Sequence, residues 1–113
     1  MEKIVEQGLL YDFYGELLTD HQRHVYEDVV FNDMSLSEIA EEQGISRQGA
    51  HDLITRCDRI LAGYEEKLRM VEKFNQTKRM VEEIKTLAGT YKKNGDMSLI
   101  DRIEAISEEI GQL

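Results

Sequence analysis

Six polar side chains between positions 47 and 59 have the types and the spacing needed to read a nucleic-acid groove from one helix: Arg47, Gln48, His51, Thr55, Arg56 and Arg59. Either of the first two arginines could bind a guanine edge through two hydrogen bonds, and Gln48 could bind an adenine edge. Thr55 and Arg59 suit contacts with phosphate. Asp52 and Asp58 reduce the positive charge of the segment. These residues predict a nucleic-acid contact, and the alternative is that they form only a solvated helix face.

The helices that would position these side chains begin at three caps. Thr19 stands three residues before Gln22, and Ser35 stands three residues before Glu38. This spacing is typical of capping boxes, in which the two side chains bond free backbone N–H groups at a helix start. Ser46 is the third cap. Two predicted helices cover residues 20–31 and 36–43, and a third predicted helix begins at residue 47.

The turn between the last two of these helices has the pattern of a helix-turn-helix. Gly44 can adopt the left-handed backbone conformation that a tight turn needs. Ala40 is small, as the close crossing of two helices requires, and Ile39, Ala50 and Leu53 occupy inward offsets. The core motif is therefore predicted at residues 35–61, within a DNA-binding-like domain that covers residues 1–61.

The rest of the chain is also predicted to be helical. An apolar face recurs over residues 3–18 and again from residue 64 to about residue 92, with a break expected near Ala62-Gly63. A turn follows, and residues 98–110 form the last helix. The chain has no proline to interrupt these helices. We therefore predict an all-α fold in which residues 62–113 form a long C-terminal helical hairpin. This hairpin has more apolar side chains than it can bury by itself, which favours a homodimer.

The charge of the chain opposes attraction to DNA. The net charge is −9, and residues 19–61 hold nine acidic and four basic side chains. Such a chain is repelled by phosphate and suits a basic protein partner. The single cysteine, Cys57, falls on the predicted inward face, and a lone cysteine suits a reducing compartment. Because we find no apolar segment of membrane-spanning length and no signal peptide pattern, we expect a cytoplasmic protein without membrane contact.

No group of residues has the spacing of a catalytic or cofactor site. His21 and His24 lie three residues apart beside Asp20, Glu27 and Asp28, and such a group could hold a metal ion. Two histidines without a defined third ligand are more often solvated side chains, so we expect no metal. The glycines are too sparse for a phosphate-binding loop. The sequence therefore predicts neither an enzyme nor a bound cofactor.

Several segments resemble known protein families. The segments LTDHQR (18–23), MSLSEIA (34–40) and GISR (44–47) resemble region 4 of bacterial sigma factors, although Gln43 and Gly49 depart from the usual residues of that motif. With LLYDFYGELLT (9–19) and YEEKL (64–68) added, the chain is similar to the YlxM-like family of small bacterial proteins. This resemblance implies DNA binding and a link to the signal recognition particle pathway.

Two functional hypotheses follow. The first is a DNA-binding regulatory protein that acts as a homodimer through its C-terminal helices. The second is a docking module for a protein of the signal recognition particle, or for another basic partner, which would not read DNA. RNA binding is an intermediate hypothesis.

Overall fold

The computed structural model describes residues 2–113, and within them the chain is all-α, as predicted. A 3-10 turn at Gly15–Leu17 joins the first two helices, so the first helix is shorter than predicted. The described residues form no β-strand. The helices are α1 (Lys3–Tyr14), α2 (Asp20–Val30), α3 (Leu36–Gln43), α4 (Arg47–Leu68), α5 (Met70–Asn94) and α6 (Ser98–Gly111).

Both predicted capping boxes are confirmed. The Thr19 hydroxyl accepts a hydrogen bond from the Gln22 backbone N–H at 3.2 Å, and the Gln22 side chain accepts one from the Thr19 N–H at 3.0 Å. Ser35 and Glu38 make the same reciprocal pair. Gly44 ends α3 with a φ of 66°, in the left-handed region that the predicted turn requires. The capping residues and Gly44 therefore determine where the helices of the helix-turn-helix begin and where the chain turns between them.

The core of the N-terminal unit lies around α4, which packs against α1, α2 and α3. The buried side chains of α4 recur every three or four residues and so share one face of the helix. Ala40, the predicted small residue of α3, is buried as expected. The buried residues of α4 are Ala50, Ile54, Cys57 and Leu61, and those of α2 and α3 are Val25, Tyr26, Ile39 and Ala40.

The end of α4 differs from the sequence-based prediction. The helix runs through Ala62 and Gly63 without interruption, so the break predicted there is wrong. The chain instead leaves the helical conformation at Arg69, which has a φ of 55°. Glycine at position 63 lowers helix propensity only modestly, and neighbouring packing can override that cost.

A hydrogen-bonded contact from α1 accounts for the position of this break. The Tyr14 hydroxyl accepts a hydrogen bond from the Met70 N–H at 3.1 Å, and a Glu65 carboxylate oxygen accepts one from the Val71 N–H at 3.0 Å. Tyr14 also donates to Glu65 at 2.6 Å. Burial, followed by this bond, raises the pKa of Tyr14. The first N–H groups of a helix have no hydrogen-bond acceptor within that helix. At the start of α5, Tyr14 and Glu65 supply these acceptors.

The chain divides into two compact units, the second of which covers Glu72–Leu113. In this unit, Arg102 of α6 forms an ion pair with Glu83 of α5 at 3.2 Å, and Ile106 is fully buried. Phe74 and Val81 of α5 are 40% and 39% exposed. No helix within residues 2–113 is both long and apolar enough to span a membrane. The functional division at residue 61 remains a prediction.

The Cys57 thiol should be unreactive in the folded protein. It is completely buried, and desolvation, with a smaller contribution from the Asp58 charge, raises its pKa from 9.0 to about 11. Only the thiolate is nucleophilic, so we expect iodoacetamide at pH 8 to modify the folded protein at least about 100-fold more slowly than the urea-unfolded chain. Mass spectrometry of quenched samples measures both rates. Equal rates would contradict the buried position of this thiol.

Candidate nucleic-acid interface

The six predicted contact residues lie together on the side of α4 that faces away from the core. Ser46 caps the helix by accepting a hydrogen bond from the Gly49 N–H at 2.9 Å. Thr55 is half-buried, and the other five side chains are exposed. The face therefore presents its three guanidinium groups, one imidazole and one amide to solvent, beginning at the first turn of the helix. The six residues are Arg47, Gln48, His51, Thr55, Arg56 and Arg59.

Gly49, which departs from the sigma-factor pattern, has a structural reason to be small. A Cβ atom at this position would lie 3.2 Å from the Ser46 Oγ and 3.7 Å from the Ile45 Cβ. A larger side chain would crowd the oxygen that caps α4. The first turn of the helix thus keeps its cap but offers no side-chain contact at position 49.

Asp52 is the one acidic side chain in the middle of this face. It accepts a hydrogen bond from the Gln48 amide nitrogen at 2.9 Å, and its carboxylate lies 3.7 Å from the His51 Nδ1. Gln48 therefore has one amide N–H engaged within the protein. The second N–H of this amide and its oxygen remain to read an adenine edge.

Asp58, in contrast, makes its hydrogen bonds with side chains outside the exposed face. Its carboxylate accepts hydrogen bonds from the Tyr26 hydroxyl at 2.5 Å and from the Gln7 amide at 2.9 Å. Tyr26 is fully buried, and desolvation followed by the bond to Asp58 raises its pKa. Asp58 thus bonds side chains of the N-terminal core, but both donors are neutral, so its negative charge still reduces the positive charge of α4, as the sequence predicts.

The structure adds two side chains that the sequence did not suggest. A shallow depression beside α4 is lined by Arg56 and by two residues from outside the helix, His21 and Ile45. Ile45 is 41% exposed although it lies in the turn of the motif. Their positions depend on how α2 and the turn pack against α4, which spacing along the sequence does not reveal. A second depression is lined by Asp52, Thr55, Arg56 and Arg59.

Known proteins are similar to this chain over most of its length. Residues 1–102 match the family described as "Putative helix-turn-helix protein, YlxM / p13 like" (UPF0122). A UPF0122 protein of Shouchella clausii is 39% identical over 107 residues, which cover 94% of this chain and 98% of the relative. The UPF0122 protein YlxM of Bacillus subtilis is 38% identical over 107 residues, with 94% and 97% covered.

Another match is shorter but has a higher identity. A UPF0122 protein of Caldanaerobacter subterraneus is 51% identical over 77 residues, which cover 68% of this chain and 66% of the relative. The match to the family extends well beyond the helix-turn-helix and covers most of the chain. The chain therefore belongs to the YlxM-like (UPF0122) family of helix-turn-helix proteins.

Proposed function

We propose that this protein is a DNA-binding regulator that reads the major groove with the exposed face of α4. The observation that carries the proposal is the placement of three arginines on the exposed face of the second helix of a capped helix-turn-helix. Helices in this position of the motif enter the major groove with their N-terminal residues against the bases. Family membership supports the same role, because the family is described by this motif.

The proposed roles follow the order of the residues along α4. Arg47 lies at the first position of the helix and Arg56 between two depressions of its surface, so each can present its guanidinium fork to a guanine. Thr55 and Arg59 lie beside Arg56 and would bind phosphate. His51 and Gln48 would complete the base contacts.

Selection from a random DNA pool tests this proposal. The full-length, untagged protein is incubated with random duplexes at low salt, because phosphate contacts weaken steeply as salt rises. We expect enrichment of one defined sequence, confirmed by fluorescence anisotropy with the selected duplex and with a scrambled duplex. If no sequence is enriched and wild-type protein binds no duplex at low salt, the proposal fails.

Neutralising Asp52 should strengthen DNA binding. The Asp52→Asn variant keeps the size of the side chain and an oxygen for Gln48, but it removes the one negative charge that α4 turns toward the proposed groove. A charge of this kind contributes about 1 kcal/mol in water, so we expect roughly fivefold tighter binding at low salt and a smaller gain at high salt. Anisotropy titrations measure the change.

The matched control for this variant is Asp12→Asn, which removes an exposed carboxylate from α1. It should leave the affinity nearly unchanged. Weaker binding by the Asp52→Asn variant would instead mean that the Asp52 carboxylate accepts a hydrogen bond from a base, and would contradict its role as a repelling charge.

We further propose that residues 62–113 form a homodimer, which would place two copies of α4 against two half-sites. The supporting observation is the exposed apolar face of α5, where Phe74 and Val81 line one shallow depression. Phe74→Glu combined with Val81→Glu should convert a dimer to a monomer in light scattering at micromolar concentration. Val5→Glu, at an exposed apolar residue of α1, is the control. A monomeric wild-type protein would refute the dimer.

Docking onto a basic protein is the second candidate function. The observation that favours it is the net charge of −9, since opposite charge speeds and orients association with a basic partner. A component of the signal recognition particle is the partner implied by the family resemblance. Affinity capture from lysate, with and without nuclease, separates the two functions. Protein partners that are still captured after nuclease treatment favour docking. If nuclease removes every partner and the recovered DNA has a defined sequence, the result favours DNA reading.

A further inference from the structure

Three metal-binding side chains from two helices converge on the surface of the helix-turn-helix unit. His24 and Asp28 lie one turn apart on α2, and Glu42 comes from the last turn of α3. One ligand atom of each residue lies within 4.8 Å of the ligand atoms of the other two. His21, the other histidine that the sequence suggested as a metal ligand, instead lines the depression beside Arg56. The third ligand that the sequence lacked thus comes from a different helix.

The three ligand atoms lie within 4.8 Å of one another, so small side-chain rotations would bring them to the spacing around a bound transition-metal ion. Ligand atoms about 2.1 Å from a tetrahedral ion lie roughly 3.4 Å from one another. The His24 Nε2 lies 3.9 Å from the Asp28 Oδ2, too far for a hydrogen bond but close enough for a shared ion after a small side-chain rotation. The His24 side chain is 69% exposed, so nothing packed around it prevents that rotation.

The carboxylate of Asp28 is the least exposed group of the cluster. Its side chain is only 13% exposed, and its Oδ1 accepts a hydrogen bond from the neutral Asn32 amide at 2.9 Å. A carboxylate that is partly withdrawn from water is stabilised by pairing with a positive charge, and the His24 imidazole is positive only when protonated. A cation at Oδ2 would supply this pairing. Asn32 would then orient the ligating carboxylate, as outer-shell partners of metal ligands do.

We propose that His24, Asp28 and Glu42 bind a divalent transition-metal ion of the zinc class, which links α2 to α3. One imidazole nitrogen with two carboxylate oxygens suits zinc and its neighbours, whereas magnesium and calcium prefer oxygen ligands alone. Water would complete the coordination sphere. This site is separate from the exposed face of α4, so the proposal does not depend on DNA binding.

Isothermal titration calorimetry of the full-length, untagged protein with zinc chloride tests the site. We expect one ion per chain, and at least a tenfold loss of affinity in His24→Ala and in Glu42→Gln. The matched controls are His21→Ala and Glu41→Gln, which remove the same groups from neighbouring positions of the same two helices. They should bind within about twofold of wild type. Asn32→Ala should lose about tenfold to 100-fold, as expected for an outer-shell partner.

Thermal unfolding gives a second readout that does not need heats of binding. An ion that links two helices of the folded state should raise the midpoint on the order of 10 °C at 100 times its dissociation constant. Circular dichroism of each variant without zinc verifies that it folds. The proposal is overturned if wild type binds no zinc, if His21→Ala or Glu41→Gln loses as much affinity as its partner variant, or if magnesium binds as tightly as zinc.

Discussion

Replacing Arg47 and Arg56 together by alanine is expected to weaken binding to the selected DNA by about 100-fold or more. Each guanidinium that binds a guanine edge with two hydrogen bonds contributes about 1–3 kcal/mol of discrimination, and 1.4 kcal/mol corresponds to tenfold in affinity. Both side chains are exposed on α4, so their loss should leave the fold unchanged. Anisotropy titrations measure the affinity, and far-ultraviolet circular dichroism measures the helix content.

The control for this pair removes the same charge elsewhere. Lys92→Ala combined with Lys93→Ala takes two exposed basic side chains from the end of α5. This variant should lose little affinity, since neither lysine lies on the proposed reading face. If the two double variants lose affinity equally, loss of two positive charges weakens binding wherever they lie on the chain, and α4 has no special role.

Replacing Ile39 by alanine is expected to destabilise the N-terminal unit by about 2–5 kcal/mol, the cost of a cavity left by a buried isoleucine. Ile39 is fully buried on α3, at the centre of the helix-turn-helix. Domains of this size are stable by only about 5–15 kcal/mol, so the variant should lose a large part of its stability. Urea denaturation followed by circular dichroism gives the free energy of unfolding.

Ile4→Ala provides the comparison within α1. Ile4 is 44% exposed, so its replacement should cost well under half as much. If Ile4→Ala destabilised the protein as strongly as Ile39→Ala, the apolar core would not be centred on the helix-turn-helix.

Features that depend on a few neighbouring residues could be predicted from the sequence. Thr19 and Ser35 each make the capping box that their spacing indicates, and Gly44 adopts the left-handed turn. Cys57 is buried, as its place in the apolar pattern of α4 predicts. In each case the chemistry of the residue and one or two neighbours determines the local structure. The exposed face of α4 could also be predicted, from the apolar periodicity of the helix.

Features that depend on contacts between distant residues could not be predicted. The chain breaks at Arg69 rather than near Gly63, and Tyr14 from α1 bonds the N–H group that opens α5. Asp58 has the spacing of a surface residue, yet Tyr26 bonds it from within the core. Glu42 likewise joins His24 only through the packing of α3 against α2. Neither the 3.6-residue periodicity of apolar side chains nor the position of capping residues indicates which distant residues will pair.

The most direct test of DNA reading by α4 is a nuclear magnetic resonance titration of the full-length, nitrogen-15-labelled protein with the selected duplex. If α4 enters the groove, the largest amide shift changes will fall between Ser46 and Arg59, and those of residues 98–113 will be small. Changes confined to α5 and α6, or the absence of any change at low salt, would contradict the proposal that α4 is the reading helix.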